Sequence, residues 1–206
     1  IMAISDEQME RFYSECSGLE RYRRYLNDMR RRKAHTLSAA EEKLLASAGE
    51  VCAAPGSIYG VFANADLSFA DAVDSQGDTH PLRQGTFVRL QESTDRVLRK
   101  SAYDNLYAGF AGFKNTAAGL LNAQNKQLKF QAQARKYDSA FEAALDRTNV
   151  PTDVYLNLIE AVHQNLDKMH RYVRLRKKLM QVEDLHFYDI YLPLVADVDR
   201  EIPFAE

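Results

Sequence analysis

The chain has 206 residues, of which 46% are hydrophobic and 27% are charged, and its formal net charge is -2. This length is sufficient for one large domain or two small ones with a real core, and the composition is ordinary for a globular protein. The small net charge excludes a strong overall field toward nucleic acid or an anionic membrane, and no run of about 18 apolar residues is present that could span a membrane.

The cysteines and the two ends of the chain indicate a cytoplasmic fragment. Cys16 and Cys52 lie far apart in sequence and form neither a C-x-x-C metal pattern nor a disulfide framework, so we interpret them as reduced thiols. The N-terminus lacks the pattern of a signal peptide. The first residue is Ile1, and residues 192–204 resemble extended chain without a cap or a polar tail. We therefore expect an internal section of a longer cytoplasmic protein.

Helical periodicity dominates the first fifty residues. Apolar side chains recur at steps of three and four over residues 5–33, which predicts a helix with an interruption at Gly18. Ser38 and Glu41 have the spacing of a capping box, in which each side chain bonds the backbone N–H of the other residue, and they predict the start of a second helix.

The pattern changes after residue 54. Pro55 and the glycine after it are predicted to end the second helix, and Ser57 is predicted to cap a short helix that ends at Phe62. Apolar residues then flank a turn-rich connection. We predict a small β-hairpin at about residues 66–90, with Gly77 at a positive φ.

The remaining residues predict further long helices. Residues 94–136 form one helical stripe interrupted by glycines, where we expect a kink or a close helix contact. A short helix is predicted from Ser139, and Thr152 is predicted to cap a helix through Val182 that would be about 45 Å long. Residues 185–194 are aromatic and predicted to be extended. The expected fold is therefore mainly α, an array of long helices with one small hairpin.

The histidines do not form a zinc-peptidase motif. Such an enzyme needs two histidines four residues apart on one helix, with a glutamate beside the first, to hold zinc and activate water. None of the histidines here is followed by glutamate, and no two are four residues apart. The sequence therefore assigns no catalytic, cofactor-binding or metal-binding residue among the five histidines: His35, His80, His163, His170 and His186.

Two weaker metal patterns remain as alternatives. Glu160 with His163 and Glu183 with His186 both have the E-x-x-H spacing of di-iron helical bundles. Because the two pairs would lie about 35 Å apart along one predicted helix, they are not expected to share a metal pair. His163 and His170 could lie on one helix face, and we interpret them as polar or packing residues, with metal binding as the alternative.

Basic runs occur at residues 21–24, 30–33 and 171–178. The last of these lies toward the end of a predicted helix, where cations complement the helix dipole. Because acidic and apolar residues are interleaved with the basic ones, we interpret the runs as solvated helix faces, with phosphate binding as the alternative.

Several stretches, taken in order along nearly the whole chain, resemble the oligoendopeptidase F family, which is related to thimet oligopeptidase. Each is a modest signal alone, and the series is specific. The stretches are residues 19–29 (LERYRRYLNDM), 35–45 (HTLSAAEEKLL), 64–69 (NADLSF), 94–100 (TDRVLRK), 113–117 (FKNTA), 172–178 (YVRLRKK) and 185–194 (LHFYDIYLPL).

The resemblance implies a zinc metalloendopeptidase about three times this length, in which two helical lobes enclose a channel that admits short oligopeptides. Residues 1–90 would be the end of the N-terminal lobe, and residues 91–206 the first helices of an incomplete catalytic domain. The family's zinc motif has no match here, so no catalytic position carries over, and we expect this section to form channel wall and to be inactive alone.

The resemblance also implies the partners. These are oligopeptide substrates for the parent protein and, for this section, the rest of its own catalytic domain. Self-association through exposed apolar surface is a further expectation, whereas nucleic acid and membranes are not expected partners. The alternative function is a non-catalytic helical scaffold or protein-interaction domain, which would fold as a self-contained monomer.

Overall fold

The computed structural model describes residues 1–195. This part of the chain divides into two compact units. The first unit comprises Ile1–Ile58 and Gly119–Glu160, and the second comprises Tyr59–Ala118 and the described residues from Ala161 onward.

Helices account for most of the described residues. In chain order they are α1 (Asp6–Glu15), α2 (Arg23–Arg31), α3 (Ala39–Ser47), α4 (Gly49–Val61), α5 (Gln84–Gln91), α6 (Arg96–Ala111), α7 (Lys114–Ala134), α8 (Ala140–Asp146), α9 (Thr152–His163) and α10 (Leu166–Met180). Short 3₁₀ turns occupy Ser17–Tyr22, Arg32–His35 and Phe187–Asp189, and a π-helical turn occupies Phe62–Asp66. The predicted mainly α fold is confirmed, and no helix within residues 1–195 is long and apolar enough to cross a membrane.

The predicted hairpin is present and short. Strands β1 (Ala72–Val73) and β2 (Thr79–His80) pair antiparallel, with Ala72 opposite His80. The Asp74 carboxylate accepts hydrogen bonds from two backbone N–H groups of the turn and approaches the His80 Nε2 at 2.8 Å. Gly77 has a φ of +89°, which confirms the predicted positive φ.

Local signals define several helix starts. The capping box at Ser38 is confirmed: its backbone N–H donates to the Glu41 carboxylate at 2.9 Å, and its hydroxyl accepts from the Glu41 backbone N–H at 3.4 Å. Asp95 caps α6 by accepting from the backbone N–H groups of Val97 and Leu98.

The predicted interruption at Gly18 is confirmed, because a 3₁₀ turn separates α1 from α2.

The predicted helix end at Pro55 is wrong. Pro55 lies inside α4, which continues to Val61, so the separate short helix predicted after Ser57 does not exist. A proline inside a helix removes the backbone donor to the carbonyl four residues earlier. That residue is Val51, which is 77% exposed, so water can replace the missing donor.

The predicted single helix from Thr152 to about Val182 is two helices, α9 and α10. The Asn165 side chain donates to the Ala161 carbonyl at 2.7 Å, and the Asn165 backbone N–H donates to the Val162 carbonyl at 3.0 Å. Asparagine commonly competes for backbone groups in this way, and here its bonds accompany a turn between the helices. The predicted continuous helix over residues 94–136 is similarly divided at Gly112, between α6 and α7.

Two further expectations change in detail. Residues 84–91, which fell within the predicted hairpin, form α5, because Phe87 and Leu90 three residues apart place both side chains against the core of the second unit. The stretch after α10, predicted to be extended, contains the 3₁₀ turn Phe187–Asp189. The extended chain predicted for residues 192–204 lies mostly outside the described residues.

The core of the second unit joins the hairpin to α5 and α6. Gly109 on α6 lies against Phe69 so closely that a Cβ at Gly109 would be 2.6 Å from the ring, which is the close approach expected for a glycine in this stripe. Because this contact fixes how the segment before β1 lies on α6, it positions the hairpin. The buried members of the core are Ala72, Leu82, Leu90, Leu98, Ala102 and Leu106.

Candidate functional site

The histidines are dispersed over the described residues. The His35 ring stacks on Tyr137, with ring centroids 3.6 Å apart, and its Nδ1 lies 2.8 Å from the Arg135 carbonyl oxygen. His186 stacks on Tyr188, with centroids 4.9 Å apart. His163, at the end of α9, and His170, on α10, are both exposed.

The residues of the E-x-x-H patterns are not part of a metal cluster. His163 ends α9, whereas Glu183 and His186 follow α10. Within residues 1–195, no three or more histidine, cysteine, aspartate or glutamate side chains come close enough together to hold a metal ion. The donor set of a zinc or di-iron centre therefore does not fit the residues that the structure describes.

The most strongly buried polar cluster surrounds Asp189 in the second unit. The Asp189 carboxylate is fully buried and accepts hydrogen bonds from Arg99 at 2.8 Å and from Arg96 at 3.0 and 3.2 Å. It also accepts from the backbone N–H of His186 at 3.0 Å. Arg99, itself 2% exposed, comes from α6, so the ion pair fixes the 3₁₀ turn onto that helix.

Electrostatics keep this carboxylate ionised. Burial raises the pKa of Asp189, but the hydrogen bonds from Arg96 and Arg99 outweigh burial and hold the pKa below its usual value. A buried ion pair that is hydrogen-bonded in this way is costly to break, because the remaining partner becomes an unpaired buried charge.

The same arginines also bind main-chain oxygens. Arg99 donates to the Tyr188 carbonyl at 3.1 Å and Arg96 to the Asp184 carbonyl at 2.7 Å. Arg176, 5% exposed on α10, donates to the Asp189 carbonyl at 3.0 Å and also to the Leu192 carbonyl. The segment after α10 is therefore held by guanidinium groups from two helices.

A second polar network lines a cleft of about 670 Å³ in the first unit. The Tyr137 hydroxyl donates to Asp146 at 2.7 Å, and Asp146 also accepts from Arg31. Burial and this hydrogen bond raise the pKa of Tyr137 to about 12. Arg135, which also lines the cleft, forms a two-pronged ion pair with Glu42, at 2.8 and 3.0 Å.

Both networks consist of paired charges, an arrangement that fixes structure. Arg31 and Arg135 in the first unit and Arg96 and Arg99 in the second all hydrogen-bond to carboxylates. Sequence reasoning noted residues 94–100 and 185–194 as family-like stretches but did not pair them. The available signal was the charge pattern, since Asp189 stands alone among aromatic and aliphatic residues while two arginines lie on one turn of α6.

Comparison with known proteins finds a family match in the first part of the chain and another in the rest. A sequence model of oligopeptidase F matches residues 1–69, and the model of peptidase family M3 matches residues 89–201. Oligopeptidase PepF of Bacillus subtilis (strain 168) is 35% identical over the whole chain, which covers 31% of that protein. An oligoendopeptidase F homolog of Lactococcus lactis is 39% identical, again over the whole chain and 34% of the relative.

Comparison with solved structures leads to the same family as the sequence matches. Oligoendopeptidase-F from Enterococcus faecium superposes with a TM-score of 0.86 at 39% identity, over 97% of this chain and 38% of that one. A putative peptidase from Chlamydophila abortus gives the same TM-score at 33% identity. The chain spans about a third of the length of the curated relatives that it matches. By sequence and by fold, the chain belongs to the oligoendopeptidase F group of peptidase family M3.

Proposed function

We propose that the chain is a section of a cytoplasmic zinc metalloendopeptidase that hydrolyses short oligopeptides. The observation that carries this proposal is the pair of family matches, which follow one another along the chain. The similar relatives are themselves named as oligopeptidases or oligoendopeptidases. The similarity of the fold to oligoendopeptidase-F from Enterococcus faecium supports it independently.

Within the whole enzyme, this section serves as structure. Residues 1–90 are the end of the N-terminal lobe and residues 91–206 the first helices of the catalytic domain, and together they form part of the wall of the substrate channel. The paired arginines around Asp189 support this role, because they stabilise a fixed arrangement and leave no free charge at that position to take part in hydrolysis.

The zinc site belongs to the part of the enzyme outside these residues. Since the family's zinc motif has no match in this sequence, we expect this chain alone neither to retain zinc nor to cleave peptides. The remaining part of the catalytic domain supplies the metal ligands and is the natural partner of this section.

The exposed area argues against the alternative of a self-contained scaffold. The chain exposes 15,754 Å². Two separate compact proteins, each of half this mass, would together expose only about 11,800 Å² by the usual scaling of surface with mass. The chain therefore exposes more area than two bodies that do not touch at all, so the excess does not depend on how the two units are arranged. This excess indicates surface that another part of a larger protein would cover.

Peptide cleavage by the full-length protein and by this chain tests the proposal. We expect the full-length protein to cleave a short internally quenched peptide, and a metal chelator to abolish cleavage until zinc is restored. The 206-residue chain, at equal concentration and with zinc added, should give no cleavage above buffer. Chelator-insensitive cleavage by the full-length protein, or zinc-dependent cleavage by the chain alone, would contradict the proposal.

A further inference from the structure

A basic cleft lies in the first unit, between α2 and the turn after α8. Its volume is about 1,070 Å³, and every residue that lines it belongs to that unit. Because the formal net charge of the chain is -2, the positive charge of this cleft is a local concentration. Four arginines line it against a single carboxylate, that of Asp28; they are Arg21, Arg24, Arg31 and Arg147.

The two walls of the cleft are joined through Arg31. Its guanidinium donates to the Asp146 carbonyl at 2.7 Å, to the Asp146 carboxylate, and to the Asp28 carboxylate at 2.9 Å. The side chains of Arg31 and Asp146 are only 26% and 18% exposed. Since Arg147 follows Asp146 directly, this ion pair fixes Arg147 in the wall that faces α2.

The other three arginines of the cleft keep their charge free. Within the described residues 1–195, Arg21, Arg24 and Arg147 form no ion pair, and all three are exposed. Glu20, the acidic residue nearest to them in sequence, is bound by Arg23 at 2.8 Å. Like charges at one cleft repel, so the cluster has a cost that an anion in the cleft would remove.

The position of Arg24 adds to this cost. It lies in the first turn of α2, which contains no acidic residue. The start of a helix carries a partial positive charge, which disfavours a cation and favours a bound anion. The helix dipole and the unpaired arginines therefore act in the same direction.

The number of free guanidinium groups indicates the class of ligand. One guanidinium is enough to bind a single carboxylate in the bidentate geometry. Three of them favour a ligand with two or more negative charges and several acceptor oxygens, and a diphosphate group has both. The cleft is about the size of pockets that hold small ligands, and the negative net charge disfavours a long polyanion such as RNA.

We propose that this cleft binds a small molecule that carries a diphosphate group, through Arg21, Arg24 and Arg147. The site is separate from the buried ion pairs around Asp189, which lie in the second unit. Binding at this site does not depend on the proposed peptidase activity.

Isothermal titration calorimetry with inorganic pyrophosphate tests the inference, on the 206-residue chain and on the full-length protein. Arg24→Gln should raise the Kd at least about tenfold, because it removes charged hydrogen bonds to the phosphate oxygens. Arg147→Gln, in the opposite wall, should act similarly. Arg89→Gln is the matched control, since Arg89 is an exposed arginine of α5 that does not line the cleft. It should change the Kd by less than about twofold at ~0.15 M salt.

Several results would overturn the inference. These are the absence of pyrophosphate binding by both lengths of chain, and equal weakening by Arg24→Gln and Arg89→Gln. Binding by the 206-residue chain alone would also overturn it, because the rest of the parent protein would then cover the cleft. Tighter binding of a single-stranded RNA oligonucleotide or of anionic phospholipid vesicles than of pyrophosphate, lost in Arg24→Gln, would assign the arginines to a macromolecular surface instead.

Discussion

The Asp189 carboxylate connects two elements that are distant in sequence. It is buried between Arg99 and Arg96 of α6, and the backbone N–H of His186 completes its hydrogen bonding. An unpaired guanidinium in this position would be far more costly than the ion pair is favourable, so the cluster specifies where the turn at Phe187–Asp189 docks.

We expect Asp189→Asn to destabilise the chain strongly. The amide keeps the size of the carboxylate but removes its charge and one of its acceptor atoms, so Arg99 becomes a buried cation without a counter-charge. The expected loss in the free energy of unfolding is about 3–5 kcal/mol, measured by urea denaturation. Asp104→Asn, which breaks the exposed pair with Lys100, is the control and should cost less than about 1 kcal/mol. Equal losses for the two variants would show that the cluster is not stabilising.

The same carboxylate predicts a response to acid. Because the folded-state pKa of Asp189 is lowered relative to the unfolded chain, its contribution is complete above the ordinary carboxylate pKa of about 4 and is lost as pH falls through the folded value. Asp189→Asn should therefore lose less stability than the unsubstituted chain between neutral pH and pH ~3, as measured by denaturation at a series of pH values. Parallel curves would contradict this assignment.

At the scale of elements, the contact of α6 with the segment before the hairpin depends on a missing side chain. Gly109→Ala would place a Cβ 2.6 and 2.9 Å from two atoms of the Phe69 ring, which is itself packed against Phe110. Overpacking of this kind usually costs about 1–3 kcal/mol and outweighs the roughly 1 kcal/mol that alanine gains over glycine inside a helix.

Gly119→Ala provides the control for this substitution. Gly119 lies inside α7 and has no atom within 4 Å of the added Cβ. Gly119→Ala should stabilise the chain by up to about 1 kcal/mol, whereas Gly109→Ala should destabilise it. Chemical denaturation measures the change in the free energy of unfolding for each variant. A stabilised Gly109→Ala variant would contradict the prediction, because it would mean that Phe69 moves away without cost.

Sequence reasoning predicted those elements whose cause is local. The bonds between Ser38 and Glu41 join residues three apart, and the positive φ of Gly77 follows from its turn, so both were predictable. The predicted helix end at Pro55 was wrong because a helix can tolerate a proline where water reaches the backbone. The predicted continuous helix from Thr152 was wrong because the apolar periodicity continues past Asn165, whose side chain bonds the backbone at the turn between α9 and α10. The prediction that no residue of this section is catalytic stays a prediction.

The charge pattern around Asp189 indicates that this carboxylate needs a partner, but the identity of the partner could not be predicted from local pattern. Arg99 and Asp189 are 90 residues apart, and nothing in the spacing of either residue identifies the other. Family resemblance marked both stretches as significant without giving their contact. Polar contacts of this range depend on tertiary packing, which the periodicity of single helices does not encode.

For the whole molecule, the large exposed area has a calorimetric consequence. A compact protein of 206 residues would have a heat-capacity change on unfolding of about 2.5–3.1 kcal/mol/K. Two separate compact proteins of half this mass would together expose about 11,800 Å², whereas the folded chain exposes 15,754 Å², so unfolding exposes roughly a fifth less new surface than it would for that pair. Scanning calorimetry should therefore give about 2.0–2.5 kcal/mol/K, and a value near 3 kcal/mol/K would contradict the area argument.

The guanidinium contacts after α10 have a consequence for how this protein can change over time. Arg96, Arg99 and Arg176 hold the carbonyl oxygens of Asp184, Tyr188, Asp189 and Leu192, and every amino acid carries such an oxygen. Apart from the Asp189 carboxylate and the buried Tyr188 ring, which lies under the Arg96 guanidinium, these contacts do not depend on the side chains of the segment. Over evolutionary time, substitutions should therefore accumulate more readily at Asp184 and Leu192 than at Tyr188, Asp189 or the three arginines.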